Sequence, residues 1–127
     1  MDRTLISAAA VALDLGSTSI KAALLDRQGN LQHIAVQPAP AIDSRDGRYE
    51  SSTSEYARIA AQVLQDCIAQ ADNKPPLGLC SQRSSFLIWD KTSGEPVTPL
   101  ISWQDDRGKS CCERLHASEE TLRSLTG

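Results

Sequence analysis

Residues 11–26, VALDLGSTSIKAALLD, constrain the fold more than any other part of the 127-residue sequence. Two apolar runs flank a short polar turn, and the first run ends in a single carboxylate, Asp14. The second run has the two-residue period of a β-strand, with Ile20, Ala22 and Leu24 on one face and Lys21, Ala23 and Leu25 on the other. The stretch therefore predicts two strands, residues 11–15 and 19–26, joined by a tight turn.

The next elements are predicted to be a third strand and a helix. LQHIAVQP, residues 31–38, completes an antiparallel meander and ends at a proline. Residues 38–51 are polar and rich in proline, so we expect a connecting loop there. Ser52 and Glu55 have the spacing of a capping box. After them comes one apolar stripe with helical spacing, formed by Tyr56, Ile59, Ala60, Val63, Leu64, Cys67, Ile68 and Ala71.

The remaining elements complete an α/β pattern. Residues 77–82, LGLCSQ, read as a fourth strand, which a right-handed crossover would place parallel to the first. Residues 85–90 and 96–104 are predicted to form a hairpin, and residues 107–115 and 118–125 are predicted to be helical. A three-strand meander followed by a helix and a parallel strand is the ribonuclease H-like, or actin-like, arrangement. We therefore expect an α/β fold, a mixed sheet with flanking helices.

Composition excludes several classes of function. The chain carries 13 Lys and Arg against 16 Asp and Glu, a formal net charge of -3, and the basic residues are scattered, which argues against nucleic acid as a partner. No apolar run approaches the ~20 residues of a membrane span. The N-terminal MDRTLISAAAVAL weakly resembles a signal peptide, but Asp14 interrupts it, so we favour the first strand.

The four cysteines indicate a reducing compartment. Cys67, Cys80, Cys111 and Cys112 include no C-x-x-C pair, and the adjacent Cys111 and Cys112 cannot form an unstrained disulfide. We expect reduced thiols and a cytoplasmic location. His116 follows Cys112 at helical spacing, but without further ligands nearby the pair favours ordinary helix residues over a metal site.

The turn after Asp14 has the groups that a phosphate and its metal ion need. Magnesium prefers carboxylate and water oxygens and bridges to substrate phosphates, so Asp14 is the candidate ligand. Gly16 allows a close backbone approach and an unusual φ. Hydroxyls, amides and a positive charge come from Ser17, Thr18, Ser19 and Lys21. On this stretch alone, a hydrophilic hairpin turn whose amides bond to Asp14 stays an open alternative.

A second motif indicates a family. Residues 81–108, SQRSSFLIWDKTSGEPVTPLISWQDDRG, together with ALDLGSTSIKAALLD upstream, closely resemble the start of the FGGY carbohydrate kinases, especially the glycerol kinase branch. Gly47 and Glu50 match that family's Gly-x-x-Glu pattern before the first helix. The resemblance runs from about residue 11 to residue 127.

The resemblance implies an ATP-dependent kinase that transfers the γ-phosphate of ATP to a hydroxyl of a sugar or polyol. It implies Mg²⁺ at Asp14 and ATP phosphates at Gly16, Ser17, Thr18 and Ser19, while Lys21 falls where the family has Lys or Arg. The implied substrate-binding set is Gln82, Arg83, Ser84, Trp103 and Asp105.

Three of these substrate residues have stated roles under the resemblance. The planar donor fork of Arg83 suits hydrogen bonds to substrate hydroxyls, and Trp103 would cover the carbon face of the substrate. Asp105 either orders its loop or reaches the substrate. Ser84 stands where glycerol kinases have Glu, which argues against glycerol and leaves a larger or differently substituted polyol or sugar open.

The resemblance also implies that residues 1–127 are an N-terminal fragment of the sugar-binding domain. The family's general base and its C-terminal nucleotide domain lie further along, so we expect no catalytic residue here and no turnover by this part alone. Exposed strand edges then predict a homo-oligomer. The alternatives are an inert self-associating fragment and an actin-like activator ATPase, which shares the D-x-G-S-T-x-x-K turn but has no place for residues 81–108.

Overall fold

The structure, a computed structural model, describes residues 5–126. Within this range the elements in chain order are β1 (Ala10–Leu15), β2 (Ser19–Leu25), β3 (Leu31–Pro38), β4 (Asp43–Arg45), β5 (Arg48–Ser51), α1 (Thr53–Ile68), β6 (Leu77–Ser81), β7 (Leu100–Ile101), α2 (Lys109–Leu115) and α3 (Glu119–Thr126). A 3₁₀ turn, His116–Ser118, separates the last two helices. The first four residues of the signal-like stretch lie outside the described residues. No helix in residues 5–126 is long and apolar enough to cross a membrane.

The main sheet has the strand order β3-β2-β1-β6. The first three strands pair antiparallel, and β6 pairs parallel to β1 after the chain has passed through α1. This confirms the predicted meander, helix crossover and parallel fourth strand, and with them the α/β class. In the resulting register Asp14 stands between Lys21 of β2 and Cys80 of β6.

The core lies between one face of this sheet and α1. Burial alternates along β1 and β2 as predicted, because side chains of a strand point to opposite faces. The helix contributes Ile59, Val63 and Cys67, and the sheet side contributes Ala8, Val11, Leu13, Ile20, Ala22 and Leu24. Burial of each large apolar side chain stabilises the fold by about 1.5–3 kcal/mol. This packing fixes α1, and therefore its first turn, against the end of β1.

The helix start was predicted correctly and its end was not. The Ser52 hydroxyl accepts a hydrogen bond from the Glu55 amide (3.2 Å), as capping-box spacing predicts. The helix stops at Ile68, three residues before Ala71, the last residue of the predicted stripe. The helix ends there because the following segment pairs with Ile6 instead. The Ile6 amide donates to the carbonyl of Gln70 (2.8 Å).

The prediction of a loop over residues 38–51 was wrong. That segment contains the β4–β5 hairpin, and β5 pairs antiparallel with β7 to form a second, three-stranded sheet. The turn residues Asp46 and Gly47 both have positive φ, 49° and 78°. An Asp-Gly pair in this conformation is the two-residue turn that matches the twist of a hairpin.

The predicted hairpin of residues 85–90 and 96–104 is confirmed as antiparallel pairing, but most of it is not regular strand. Phe86 pairs with Ile101, and Trp89 pairs with Pro96, as isolated bridges. Pro96 and Pro99 lack the amide that a regular ladder needs. Further along, α2 and α3 confirm the two predicted helices to within two residues.

Candidate active site

Two loops meet at the carboxyl ends of the parallel strands β1 and β6. Leu15 ends β1, and its carbonyl accepts a hydrogen bond from the amide of Gln82, just beyond β6 (2.9 Å). Open α/β sheets bind their ligands in the crevice outside this edge. The polar turn after β1 (residues 16–19) and the loop after β6 (residues 82–84) therefore occupy the position where a ligand site is expected. We call them the phosphate turn and the substrate loop, after the roles that the family resemblance implies for them.

Asp14 lies beside the phosphate turn with two neighbours across the sheet. Its Oδ2 is 3.7 Å from the Nζ of Lys21, with the carboxylate side chain 44% exposed. The Cys80 thiol donates to Oδ1 at 3.7 Å. Loss of hydration, the negative charge of Asp14 and this hydrogen bond raise the pKa of the Cys80 thiol. Asp14 thus keeps an accessible carboxylate next to one cation.

The phosphate turn carries unpaired donors. The amides of Gly16, Ser17 and Thr18, and the hydroxyls of Ser17, Thr18 and Ser19, make no hydrogen bond within residues 5–126. The φ of Gly16 is not positive, so this turn does not use the left-handed conformation that glycine allows. Packing explains why position 16 is a glycine, because a Cβ there would lie 2.5 Å from the carbonyl oxygen of Ser19.

The groups around Asp14 fit a magnesium ion that takes most of its ligands from water and phosphate rather than from the protein. No group of three His, Cys, Asp or Glu side chains suited to a metal occurs in the part of the chain that the structure describes. Magnesium binds through one or two carboxylates together with waters and phosphate oxygens. One accessible carboxylate beside unpaired amides and hydroxyls matches that mode, and it does not match a closed metal site built from protein ligands alone.

The substrate loop presents an unpaired cation on a strained turn. Arg83 is exposed, and its guanidinium forms neither a hydrogen bond nor an ion pair within the described range. Ser84, which follows it, has φ 61°, a left-handed conformation that is uncommon for residues other than glycine. Such strain persists where surrounding structure imposes it, often at functional sites. Trp103 is 56% exposed, so it is not a core residue of the hairpin.

The side chain of Gln82 is held by the protein on both of its polar atoms. Its Nε2 donates to the Tyr56 hydroxyl (3.4 Å), and its Oε1 accepts from the Ser85 hydroxyl (2.8 Å). The same Ser85 oxygen accepts from the amide of Trp103 (3.0 Å), and Tyr56 donates to the carbonyl of Gly16 (2.8 Å). Sequence reasoning missed Tyr56 and Ser85, because an apolar stripe gives no signal for what a tyrosine hydroxyl contacts.

Asp105 has the loop-ordering contacts that were one of its two predicted alternatives. Its carboxylate accepts from the Tyr49 amide (3.0 Å) and from the Arg107 guanidinium (2.7 Å). Arg107 also pairs with Glu50 at 2.7 Å. The hydrogen bonds from Arg107 are the main cause that lowers the pKa of Asp105 to about 2. This network joins the loop after Trp103 to the β4–β5 hairpin. The role of Arg107 in it was not predicted from the sequence.

The comparison with protein families decides what this arrangement belongs to. The family model that describes the FGGY family of carbohydrate kinases, N-terminal domain, matches residues 9–127. The chain belongs to this family. The resemblance stated from the two sequence motifs is thereby confirmed.

Relatives and solved structures agree with this membership. An apulose kinase from Pectobacterium atrosepticum is 33% identical over 121 residues, which cover 92% of this chain and 24% of that protein. A glycerol kinase from Azotobacter vinelandii is 36% identical over 123 residues, with 92% and 24% covered. This FGGY chain thus spans about a quarter of the length of the curated relatives it matches.

The fold of this FGGY chain is shared with solved sugar kinases. A ligand-bound xylulose kinase from Lactobacillus acidophilus superimposes with a TM-score of 0.75 at 22% identity, over 85% of this chain and 22% of that one. A Plasmodium falciparum glycerol kinase with ADP gives a TM-score of 0.67 at 22% identity, over 88% and 24%. These likenesses confirm the actin-like fold predicted from the order of elements.

Proposed function

We propose that the full-length protein is an ATP-dependent kinase that transfers the γ-phosphate of ATP to a hydroxyl of a sugar or polyol. The observation that carries this proposal is the meeting of the phosphate turn and the substrate loop at the carboxyl ends of β1 and β6, where the amide of Gln82 bonds to Leu15. One loop offers unpaired donors for phosphate, and the other offers the unpaired Arg83 for hydroxyl oxygens. Family membership supports the kinase reaction.

We assign the nucleotide side of the reaction to the phosphate turn and its neighbours. Asp14 would hold Mg²⁺, and Lys21 would add a positive charge at the phosphates. Phosphoryl transfer depends almost entirely on positioning and on neutralising charge on the transferred group, which a bound Mg²⁺ supplies. The amides and hydroxyls without protein partners, those of Gly16, Ser17, Thr18 and Ser19, would bind phosphate oxygens.

We assign the substrate side to the substrate loop and to Trp103. Arg83 would donate to substrate hydroxyls, and the exposed ring of Trp103 would pack against the carbon face. Ser84 offers one short hydroxyl, which suits a sugar or polyol other than glycerol. The engaged side chain of Gln82 and the carboxylate of Asp105 would hold these groups in place rather than contact many substrate atoms.

The general base is assigned to no residue among the 127. We propose that residues 1–127 are the N-terminal part of the sugar-binding domain, and that the base and the adenine-binding domain come from the rest of a longer protein. The coverage of about a quarter of each relative supports this division. On this proposal the 127 residues alone do not turn over substrate.

The experiment measures ATP consumption by the product of the full-length open reading frame against a panel of polyols, ketoses and aldoses. Glycerol, apulose and xylulose belong in the panel, because relatives are named for them. Asp14→Ala and Arg83→Ala run beside Arg27→Ala, an exposed arginine in the β2–β3 turn, as the control. The proposal is supported if the wild type turns over one of these substrates and if this activity is lost in the first two variants and kept in the control. ATP hydrolysis at the same rate with and without every sugar overturns the proposal and favours the activator ATPase.

A further inference from the structure

Tyr56 connects the phosphate turn to the substrate loop through its hydroxyl. The hydroxyl donates to the carbonyl of Gly16 at 2.8 Å, and it accepts from Nε2 of Gln82 at 3.4 Å. The tyrosine stands on the first turn of α1, and its ring packs against the buried core. A single polar atom on a rigid helix thus contacts both loops of the proposed site.

The connection continues from Gln82 to Trp103. Gln82 Oε1 accepts from the Ser85 hydroxyl (2.8 Å), and the Ser85 oxygen accepts from the backbone amide of Trp103 (3.0 Å). An unbroken series of four hydrogen bonds therefore runs from Gly16 to Trp103. Each bond in such a series polarises its neighbours, so the group responds as a network rather than as separate pairs.

Two cavities adjoin Tyr56, and the one that borders the phosphate turn is too small for a ligand. A cavity of about 10 Å³ is lined by Ser17 of the phosphate turn, by Tyr56 and Gln82, and by Ser102 behind them. This volume admits one water molecule at most. Gly16, Tyr56 and Gln82 are joined directly by hydrogen bonds beside this small cavity. A separate cavity of about 270 Å³ is also lined by Tyr56, Gln82 and Ser85.

We propose that Tyr56 is a positioning residue that couples nucleotide binding at the phosphate turn to sugar binding at the substrate loop. This inference rests on the proposed function. The bonds that hold Gln82 also hold the Tyr56 hydroxyl and the carbonyl of Gly16. A sugar that stabilises the substrate loop in this arrangement therefore stabilises the phosphate turn as well. Coupling of this kind is a reciprocal free energy, so each ligand raises the affinity of the other by the same factor.

The simpler role for Tyr56 is that of a core residue whose ring closes one end of the helix stripe. The two roles separate chemically, because phenylalanine keeps the ring and removes only the hydroxyl. The chain also offers a matched control. Tyr49 is likewise half-buried, and its hydroxyl makes no hydrogen bond within the described residues. Tyr49→Phe therefore deletes the same atom outside the connection.

The test uses the full-length protein and the sugar that the substrate panel identifies. The affinity of a non-hydrolysable ATP analogue is measured by calorimetry without the sugar and with the sugar at saturation, and the ratio of the two values gives the coupling. We expect a ratio well above one in the wild type and a drop of about three- to tenfold in Tyr56→Phe, the size of one hydrogen bond. Tyr49→Phe should keep the wild-type ratio.

Ser85→Ala provides a second, independent variant, because it interrupts the same series further along. It should lower the ratio in the same direction, and combining it with Tyr56→Phe should add little. Equal ratios in wild type and Tyr56→Phe overturn the inference, and so does a drop of the same size in Tyr49→Phe. A wild type that phosphorylates no sugar overturns the proposed function and this inference with it, whereas a functional kinase with an unchanged ratio overturns the inference alone.

Discussion

Lys21 faces Asp14 across strands β1 and β2, with its Nζ 3.7 Å from Oδ2 and with both side chains about half exposed, 50% and 44%. An ion pair this exposed contributes about 0–1 kcal/mol to stability. The pair therefore has little structural value, and its charges stay available to a ligand at the phosphate turn.

Replacement of Lys21 should change nucleotide use far more than stability. Under the proposed function, Lys21→Ala removes a charge-assisted contact to phosphate worth about 1.5–3 kcal/mol, so KM for ATP should rise about 10- to 100-fold. Lys21→Arg keeps the charge and should stay close to wild type. Steady-state kinetics of the full-length protein and urea unfolding check both statements. Lys91→Ala, at an exposed turn lysine, serves as the control, and an equal KM in all three variants contradicts the assignment.

The alkylation rate of the Cys80 thiol should depend on the charge of Asp14. Loss of hydration, the carboxylate charge and the hydrogen bond from the thiol to Asp14 together raise the pKa of Cys80. Less thiolate is therefore present at a given pH, and alkylation should be slow. Asp14→Asn removes the charge, so the midpoint of the rate against pH should move down. The measurement is iodoacetamide labelling in a background where Cys111 and Cys112 are serine, and an unmoved midpoint contradicts the contact.

The main sheet could be predicted from sequence because its signals are local. The two-residue period of residues 19–25 and the helical stripe that contains Ile59 and Val63 each depend on neighbours within a few positions. The β4–β5 hairpin was missed because its polar composition resembled a loop, although Asp46 and Gly47 are a strong hairpin turn signal. Exposed polar strands have the same composition as a loop, so only the turn residues distinguish this hairpin from one.

The candidate site was predictable only in its separate pieces. The motifs around Asp14 and Arg83 can be read along the chain, but the hydroxyl of Tyr56 meets partners 40 and 26 positions away, at Gly16 and Gln82. Nothing local in a tyrosine on an apolar stripe says which distant polar group its hydroxyl contacts. Only the packing of α1 on the sheet brings these groups together.

Asp105 should stabilise the fold at neutral pH and lose that effect in acid. Hydrogen bonds from Arg107 lower its pKa from 3.8 to about 2. A carboxyl whose pKa is lower in the folded state contributes stability above its unfolded pKa, and the contribution is lost as pH falls through the folded pKa. The loss should therefore occur between about pH 4 and pH 2.

The measurement is the free energy of unfolding in urea, taken from pH 5 down to pH 2 for wild type and Asp105→Asn. The difference between them should be constant above about pH 4 and should shrink below it. Asp43→Asn removes an exposed carboxylate whose one ion-pair partner within residues 5–126 is Arg45, so its curve should run parallel to that of the wild type. Parallel curves for Asp105→Asn would contradict the role of the Arg107 contact.

Gly16 should tolerate no side chain, whereas Gly108 should accept one. A Cβ at Gly16 would lie 2.5 Å from the Ser19 carbonyl oxygen, and at Gly108 it would meet nothing within 4 Å. Gly16→Ala should cost about 1–3 kcal/mol, as overpacking does. Gly108, the N-cap residue of α2, has φ -77°, so the smaller entropy of the unfolded alanine chain opposes the poorer cap, and Gly108→Ala should change stability by less than about 1 kcal/mol. Urea unfolding of both variants checks this, and an equal cost at the two positions would refute the packing explanation.

Leu79 should govern self-association of the 127-residue chain. Its parallel partner Leu13 is 6% exposed beneath α1, while Leu79 on the same face of β6 is 63% exposed. Strand β6 ends the main sheet of the described residues, so it combines apolar surface with unpaired backbone groups, which favours pairing with another chain. Light scattering over a range of concentrations should find a homo-oligomer.

Leu79→Lys should shift this chain towards the monomer, because a charge on an edge strand opposes pairing. Ile34→Lys is the matched control, since Ile34 is 51% exposed on β3 at the other end of the sheet. It should leave the association unchanged if β6 is the interface. An oligomer that persists in Leu79→Lys and is lost in Ile34→Lys would place the interface at β3. A wild type that stays monomeric at every concentration would contradict the prediction.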